Sequence, residues 1–190
     1  MSPPACRAPL GLRVLLEYWL GELPAEEQDR IEEHLLDCGA CSDEARDLVA
    51  VAAGVHRLVT SGRVRVVVTG TFLGRLAADG LRVREYRVAP SGTVRCTVAP
   101  GDDVLATRLV ADLHGVERLD VVGCDAEGRE RGRLTDVPVR ASAGEVVLLE
   151  AIDRIRAMPA GVERVQLVAS GPAGERVLGE YTFVHTPWPG

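Results

Sequence analysis

The eight residues His34-Leu-Leu-Asp-Cys38-Gly-Ala-Cys41 form the most specific pattern in this chain. His34 and Cys38 are four positions apart, which places both side chains on one face at the end of a helix. Cys41 follows across a turn at Gly39, where a further helix begins. Zinc takes four ligands in tetrahedral geometry, and small domains supply them as closely spaced cysteine and histidine. The spacing therefore predicts a zinc site that includes His34, Cys38 and Cys41.

Helical periodicity surrounds this motif on both sides. A stripe of apolar residues at helical spacing predicts a first helix; its members are Leu12, Leu15, Leu16, Trp19, Leu20 and Leu23. Pro24 suits the first turn of a second helix, Gly39 suits its end, and Ser42 suits the cap of a third helix. Three short helices bury little apolar surface, so this unit needs an additional source of stability such as a bound zinc ion.

Beyond Gly62 the sequence changes to the alternating pattern of β-strands. Runs of this kind, separated by Pro and Gly turns, cover 63–69, 81–88, 93–98, 118–124, 134–139, 162–169 and 176–184. The stretches 71–79 and 149–158 fit either a helix or a strand. Short strands at this spacing predict a β-sandwich. We therefore predict an α+β protein of two domains, a helical one over residues 1–61 and an all-β sandwich-like one over 62–190.

A short internal similarity appears in the second part. Gly115-Val-Glu-Arg118 recurs as Gly161-Val-Glu-Arg164, an offset of 46 residues. It predicts two copies of a strand–turn–strand unit, at about 105–134 and 151–180. Chance similarity in a sequence rich in Arg, Val and Gly is the alternative interpretation.

The charge and the cysteine content restrict the classes of function that are expected for this chain. The net charge is −6, and all of the excess lies in residues 1–61, where eleven acidic residues face five arginines. This balance argues against a nucleic-acid partner. The sequence has no apolar run of membrane-spanning length and no secretory signal, so we expect a cytoplasmic protein without a membrane anchor. An odd number of cysteines, five, favours metal or redox chemistry over a disulfide framework.

A family resemblance rests on the N-terminal residues. Leu16-Glu-Tyr-Trp-Leu-Gly-Glu-Leu-Pro24, an acidic helix and the motif from His34 to Cys41 together resemble the zinc-binding anti-sigma domain family, over roughly residues 6–60. The resemblance implies a small helical domain that sequesters an extracytoplasmic-function sigma factor. It implies a fourth zinc ligand near the first helix, for which Cys6, 28 residues before His34, is the candidate. It also implies a fourth helix, which 71–79 would supply, and a redox response in which thiol oxidation releases zinc and partner.

Other interpretations remain open at this stage. Water, His56 or an acid could replace Cys6 as the fourth ligand, and the two thiols of the motif could instead form a redox pair or lie buried without a metal. With water at the metal, Glu33 or Asp37 could act as base in a zinc enzyme. No motif of an enzyme class occurs, however, so we expect a protein that is not an enzyme.

The β domain has no recognised family. We expect it to sense a signal, form homo-oligomers or bind a second partner. Cys96 is interpreted as a core residue, and His114 and His185 are too isolated for a metal-binding cupin site. The alternative function for the whole chain is a zinc-finger adaptor for assembly or signalling, unrelated to sigma factors.

Overall fold

The computed structural model describes residues 6, 8–61, 65–138, 141–172 and 174–186. The fold class is α+β, as predicted. In the described residues three α-helices come first, and two further α-helices interrupt the strands that follow, so the second part is β-rich rather than all-β. Among the described residues the helices are α1 (Leu12–Leu20), α2 (Ala25–Asp37), α3 (Gly39–Thr60), α4 (Gly70–Ala78) and α5 (Ile152–Arg156). The strands are β1 (Val66–Val68), β2 (Val83–Val88), β3 (Thr93–Cys96), β4 (Val104–Val110), β5 (Arg118–Cys124), β6 (Glu130–Val137), β7 (Glu145–Ala151), β8 (Gly161–Gly171) and β9 (Gly174–His185).

The helices of residues 8–61, here called the helical region, follow the predicted order with corrected ends. Gly21 ends α1 in the left-handed conformation, with φ of 73°, which glycine adopts without strain. Cys38 in extended conformation, rather than Gly39, ends α2. The expectation that Ser42 caps α3 was wrong, because α3 already begins at Gly39 and the Ser42 amide donates to the Cys38 carbonyl. A single residue therefore joins α2 to α3.

The ambiguous stretch 71–79 is helical. The Thr69 hydroxyl accepts a hydrogen bond from the Phe72 amide at 3.1 Å and so caps the start of α4. Leu73 and Leu76, three positions apart, are buried on one face of this helix. They pack against the four-stranded sheet described next, together with Val55 of α3.

Residues 65–186, here called the β-rich region, contain two mixed sheets. The first sheet has the strand order β1-β7-β4-β2 and the second has the order β3-β9-β8-β5-β6. The pairs β2–β4 and β3–β9 are parallel, and the other neighbours are antiparallel. The sheets face each other across one core, in which Leu109 and Leu148 of the first sheet meet Leu119, Val165 and Tyr181 of the second.

The first sheet is covered on both faces. Its other side packs Val104, Ala106 and Leu149 against α4. A strand that is buried on both faces reads as a continuous apolar run instead of an alternating one. This is why the alternation of the sequence missed β4 and most of β7, of which only residues 149–151 lie in the ambiguous stretch 149–158.

Tyr181 anchors the core between the sheets. Its ring is fully buried, and its hydroxyl donates to the Val110 carbonyl at 2.6 Å. Gly179 makes room for the ring, because a Cβ there would come within 2.5 Å of the Tyr181 hydroxyl oxygen. The contact ties a strand of the second sheet to the end of a strand in the first.

The predicted repeat corresponds to structure in only part of its length. At the offset of 46 residues, β5 and β6 correspond to β8 and β9, which form similar antiparallel hairpins in one sheet. The preceding part of each copy differs, because β4 corresponds to α5. The duplicated units stay a prediction. So does the domain boundary at residue 61, since residues 62–64 lie outside the described part.

The helical region contacts the β-rich region through α4 and β7. The rings of Trp19 in α1 and Phe72 in α4 lie 6.1 Å apart between centroids. The Arg75 guanidinium stacks over the Trp19 ring at 5.1 Å, a cation–π contact. These contacts place the far ends of α1 and α3 on the β-rich region.

Candidate metal centre

The structure brings the four predicted ligands together. The Nε2 atom of His34 lies 3.6 Å from the Cys6 sulfur and 3.3 Å from the Cys41 sulfur. The sulfurs of Cys41 and Cys6 are 3.9 Å apart. With Cys38 included, all four donor atoms lie within 4.8 Å of one another. Three thiols and one imidazole therefore surround a common point.

These distances fit tetrahedral zinc. Zinc–sulfur bonds of about 2.3 Å and zinc–nitrogen bonds of about 2.0 Å at tetrahedral angles require donors about 3.5–3.8 Å apart. The observed separations of 3.3–3.9 Å lie close to that range. Soft thiolates with one imidazole are the donors that zinc selects in structural sites. Cys6, His34, Cys38 and Cys41 are thus positioned to bind zinc.

Local backbone geometry supplies three of the donors. His34 lies in the last turn of α2, and the Cys38 amide donates to the His34 carbonyl at 2.8 Å. The extended conformation of Cys38 then turns the chain directly into α3, whose first turn carries Cys41. The helix-end spacing alone brings these three side chains together.

Cys6 reaches the site from a different part of the chain. It precedes α1, and α1 and α2 both pack on α3, so the start of the chain returns beside the α2–α3 junction. The separation of 28 residues from His34 is accommodated by residues 8–11, which are not helical. His56, Glu33 and Asp37 are not members of the cluster, which among the described residues consists of the four donors named above.

Electrostatics in the site favour a bound cation. A hydrogen bond from the Cys41 amide, with further donors nearby, lowers the pKa of Cys38. The Leu10 amide lowers the pKa of Cys41, but burial and the thiols of Cys38 and Cys6 outweigh it, so that the pKa of Cys41 is raised. The thiol of Cys38 therefore loses its proton more readily than the thiol of Cys41. A divalent cation is what allows all three sulfurs to be thiolates together.

The other cysteines and histidines lie elsewhere. Cys96 is half-buried at the end of β3 and Cys124 is buried at the end of β5. Burial raises the pKa of both thiols. His185 is buried, and its Nε2 lies 3.0 Å from the Met158 carbonyl oxygen. His114 is exposed in a turn. These groups are not part of the metal cluster.

Sequence reasoning missed a buried ionic network in the β-rich region. Both Nη atoms of Arg65 donate to the Glu163 carboxylate, at 2.9 and 3.1 Å. The Arg65 Nε lies 2.9 Å from a carboxylate oxygen of Glu150, which is itself buried. Nearly a hundred residues separate Arg65 from Glu163, so no local pattern could have shown this pairing.

One family model matches the helical region. Residues 12–42 match a family described as "Putative zinc-finger". The matched segment contains His34, Cys38 and Cys41, whereas Cys6 lies just before it. The predicted resemblance to a zinc finger of the anti-sigma factor type is confirmed for this segment, and a finger of this type indicates a protein partner.

No curated protein matches the chain. Among the solved structures that match, two are each similar to about half of the chain. CopC from Methylosinus trichosporium OB3b is 17% identical over 52% of this chain and 87% of that one, with a TM-score of 0.31. The N-terminal domain of phage TP901-1 ORF48 is 8% identical over 55% and 98%, with a TM-score of 0.33. Similarity this low carries no argument about fold or function.

Within the described residues, no helix is both long enough and apolar enough to cross a bilayer.

Proposed function

We propose that this protein is an anti-sigma factor whose zinc-stapled helical domain binds an extracytoplasmic-function sigma factor and keeps it inactive. The observation that carries the proposal is the complete set of Cys6, His34, Cys38 and Cys41 at a finger of the anti-sigma type. A metal site of this kind stabilises a small helical unit without supplying chemistry.

Exposed apolar side chains on the helical region support a protein partner. Large apolar residues that stand open to water are concentrated there among the described residues; they are Leu12, Leu16, Leu36, Val49, Val51 and Leu58. Leu36 is 86% exposed although it lies within the zinc motif itself. Water-exposed apolar side chains on neighbouring helices are typical of an interaction surface.

The charge of the same region supports a basic partner surface. Residues 1–61 hold eleven acidic residues against five arginines. An acidic face accelerates encounter with a basic one and excludes acidic partners. We propose that the sigma factor docks on the open faces of α1, α2 and α3. The apolar face of α4 is already used against the first sheet, through Leu73 and Leu76.

We further propose that the protein works in the cytoplasm and is not an enzyme. Four protein donors complete a tetrahedron, so no position is left for a catalytic water. Free thiols at the zinc site suit a reducing compartment. An adaptor function unrelated to sigma factors would use the same surface and is an outcome of the test below.

Thiol oxidation would end the sequestration. Hydrogen peroxide would take two electrons from the thiolates of Cys6 and Cys41, whose sulfurs are 3.9 Å apart, forming one disulfide and two waters with uptake of two protons. Two ligands lost in this way release zinc. A chromogenic chelator measures that release, and zinc retained through peroxide treatment would contradict the redox part of the proposal.

The main test uses the full-length, zinc-loaded protein and the extracytoplasmic-function sigma factors of its source organism. A 1:1 complex that prevents the sigma factor from binding core RNA polymerase is the expected result. Leu36→Asp should weaken this complex on the order of tenfold or more. Val177→Asp is the matched control, since Val177 is 54% exposed on β9, outside the helical region, and should leave binding unchanged.

Three results would count against the proposal. One is that no sigma factor of the organism binds the zinc-loaded protein. Another is that both variants weaken binding equally, which would place the contact elsewhere. A third is capture of a protein other than a sigma factor by the Leu36 surface, which would support the adaptor function instead.

A further inference from the structure

A cavity of about 220 Å³ lies between the two sheets of the β-rich region. Leu105 and Leu148 of the first sheet form one wall, and Val165 and Phe183 of the second sheet form the other. Its mouth is at the turn between α5 and β8, where residues 159–162 are exposed. From this cavity we infer that the β-rich region binds a small, uncharged, mainly apolar molecule that carries a hydroxyl group.

The volume sets the size of the ligand. An apolar cavity of about 150 Å³ holds a benzene molecule. The larger space here, about 220 Å³, fits a ring with a short substituent, or a branched chain of about ten heavy atoms. Protein cores are otherwise packed nearly without voids, since each void loses contacts that stabilise the fold. A cavity of this size is therefore a candidate site rather than an ordinary packing defect.

The charges at the cavity exclude a charged ligand. Glu163 accepts two hydrogen bonds from Arg65, and Glu150 lies 2.9 Å from Arg65 and 3.2 Å from the Arg154 guanidinium. Two carboxylates are thus balanced by two guanidinium groups. A further charge would enter a desolvated space whose carboxylates and guanidinium groups are already paired with one another, which is strongly unfavourable. The ligand is therefore neutral.

Thr107 supplies the polar anchor. It lies in the middle of β4 on the face that lines the cavity, and only 4% of it is exposed. As a lining residue it offers the cavity a hydroxyl that can both donate and accept a hydrogen bond. A ligand hydroxyl in the cavity would pair with it, which points to small alcohols and phenols.

This site is independent of the anti-sigma proposal. It lies between the sheets, uses none of the zinc ligands and involves none of the exposed apolar side chains of the helical region. Failure of sigma binding would not contradict the small-molecule site, and failure of small-molecule binding would not contradict the anti-sigma proposal.

The test measures binding of benzyl alcohol and toluene to the full-length, zinc-loaded protein by titration calorimetry and amide NMR shifts. We expect saturable binding of both, with shifts at Thr107, Leu148 and Phe183. Thr107→Val keeps the shape and removes the hydroxyl. It should weaken benzyl alcohol by about three- to tenfold and leave toluene unchanged, because one neutral hydrogen bond is lost. Benzoate and benzylammonium should bind at least about tenfold more weakly than benzyl alcohol.

A filled cavity provides the second test. Cys96 lines the cavity, so Cys96→Leu should abolish binding of both probes, whereas Cys96→Ser, of similar size, should preserve it. Unchanged zinc content and thermal midpoint verify the fold of each variant. No saturable binding, or full binding in the filled variant, would overturn the site. Equal loss of toluene and benzyl alcohol in Thr107→Val would overturn the hydroxyl anchor. That comparison decides the matter even if Cys96→Leu does not fold.

Discussion

Removal of zinc is expected to unfold the helical region and leave the β-rich region intact. Among the side chains described in residues 8–58 and 61, the buried ones are Leu15, Ile31 and Cys41. Burial of the leucine and isoleucine contributes about 3–6 kcal/mol together. Structural zinc contributes roughly 10–16 kcal/mol at neutral pH. The metal is therefore the larger source of stability, and without it α2 and the start of α3 lose most of what holds them in place.

The structure sets the size of the expected signal. Helices α1, α2 and α3 contain 9, 13 and 22 residues, whereas α4 and α5 contain 9 and 5. Complete unfolding of the first three would remove about three quarters of the helical ellipticity at 222 nm. Contacts of Trp19 with Phe72 and of Val55 with the α4 cluster retain part of α1 and α3. If only α2 and the first turns of α3 unfold, the loss is about a third.

The assay follows zinc and helix content in the same sample. A strong chelator is added at pH 7, released zinc is quantified with a chromogenic indicator, and ellipticity is recorded at 222 nm. Cys124→Ala is the matched control, because this buried cysteine lies outside the metal cluster and its variant should retain zinc and helix alike. Full zinc release with unchanged ellipticity at 222 nm would refute the reasoning that the metal holds the helices together.

Three further predictions concern single side chains. Cys6→Ala should keep one zinc per chain at lower affinity, because water replaces a thiolate; an unchanged affinity in chelator competition would mean that Cys6 is not a ligand. Arg65→Met should lower the free energy of unfolding in urea by about 3 kcal/mol, since Glu150 loses its closest buried cation; an effect no larger than that of the exposed Arg176→Met would contradict this. Tyr181→Phe should cost about 1 kcal/mol at pH 7 through loss of the bond to Val110. Burial raises the pKa of Tyr181 to about 12, so the contribution of its neutral hydroxyl to the free energy of unfolding is complete below the ordinary pKa near 10 and is lost as pH rises through 12. The phenylalanine variant should lack this alkaline loss. An alkaline denaturation curve identical to that of the unmodified protein would contradict the prediction.

The zinc ligands show which parts of the site a local sequence pattern can predict. His34, Cys38 and Cys41 lie within eight residues, and the rise and turn of a helix fix their relative positions before any tertiary contact forms. Cys6 could be proposed only by resemblance, because its approach depends on how α1 packs on α3. The exact helix ends were also beyond the pattern, since Cys38 rather than Gly39 ends α2.

The β-rich region shows which strands the alternation of apolar and polar residues fails to predict. Alternation revealed the strands that face water on one side, such as β2 and β3, but not β4, which is buried by α4 on one face and by the second sheet on the other. The choice between helix and strand at 71–79 depended on the Thr69 cap and on a sheet surface for Leu73 to cover. Propensity alone is too weak to decide such a short stretch.

The sequence by itself determined the helical zinc finger, its three clustered ligands and the change from helix to strand near residue 62. Each of these depends on residues close together in the chain, where backbone geometry fixes which side chains meet. Only the tertiary structure decided the parallel pairing of β3 with β9, the ion pair of Arg65 with Glu163, and the cavity beside Thr107. Those features join residues from distant strands, and their positions follow from the order in which the strands pack into the two sheets.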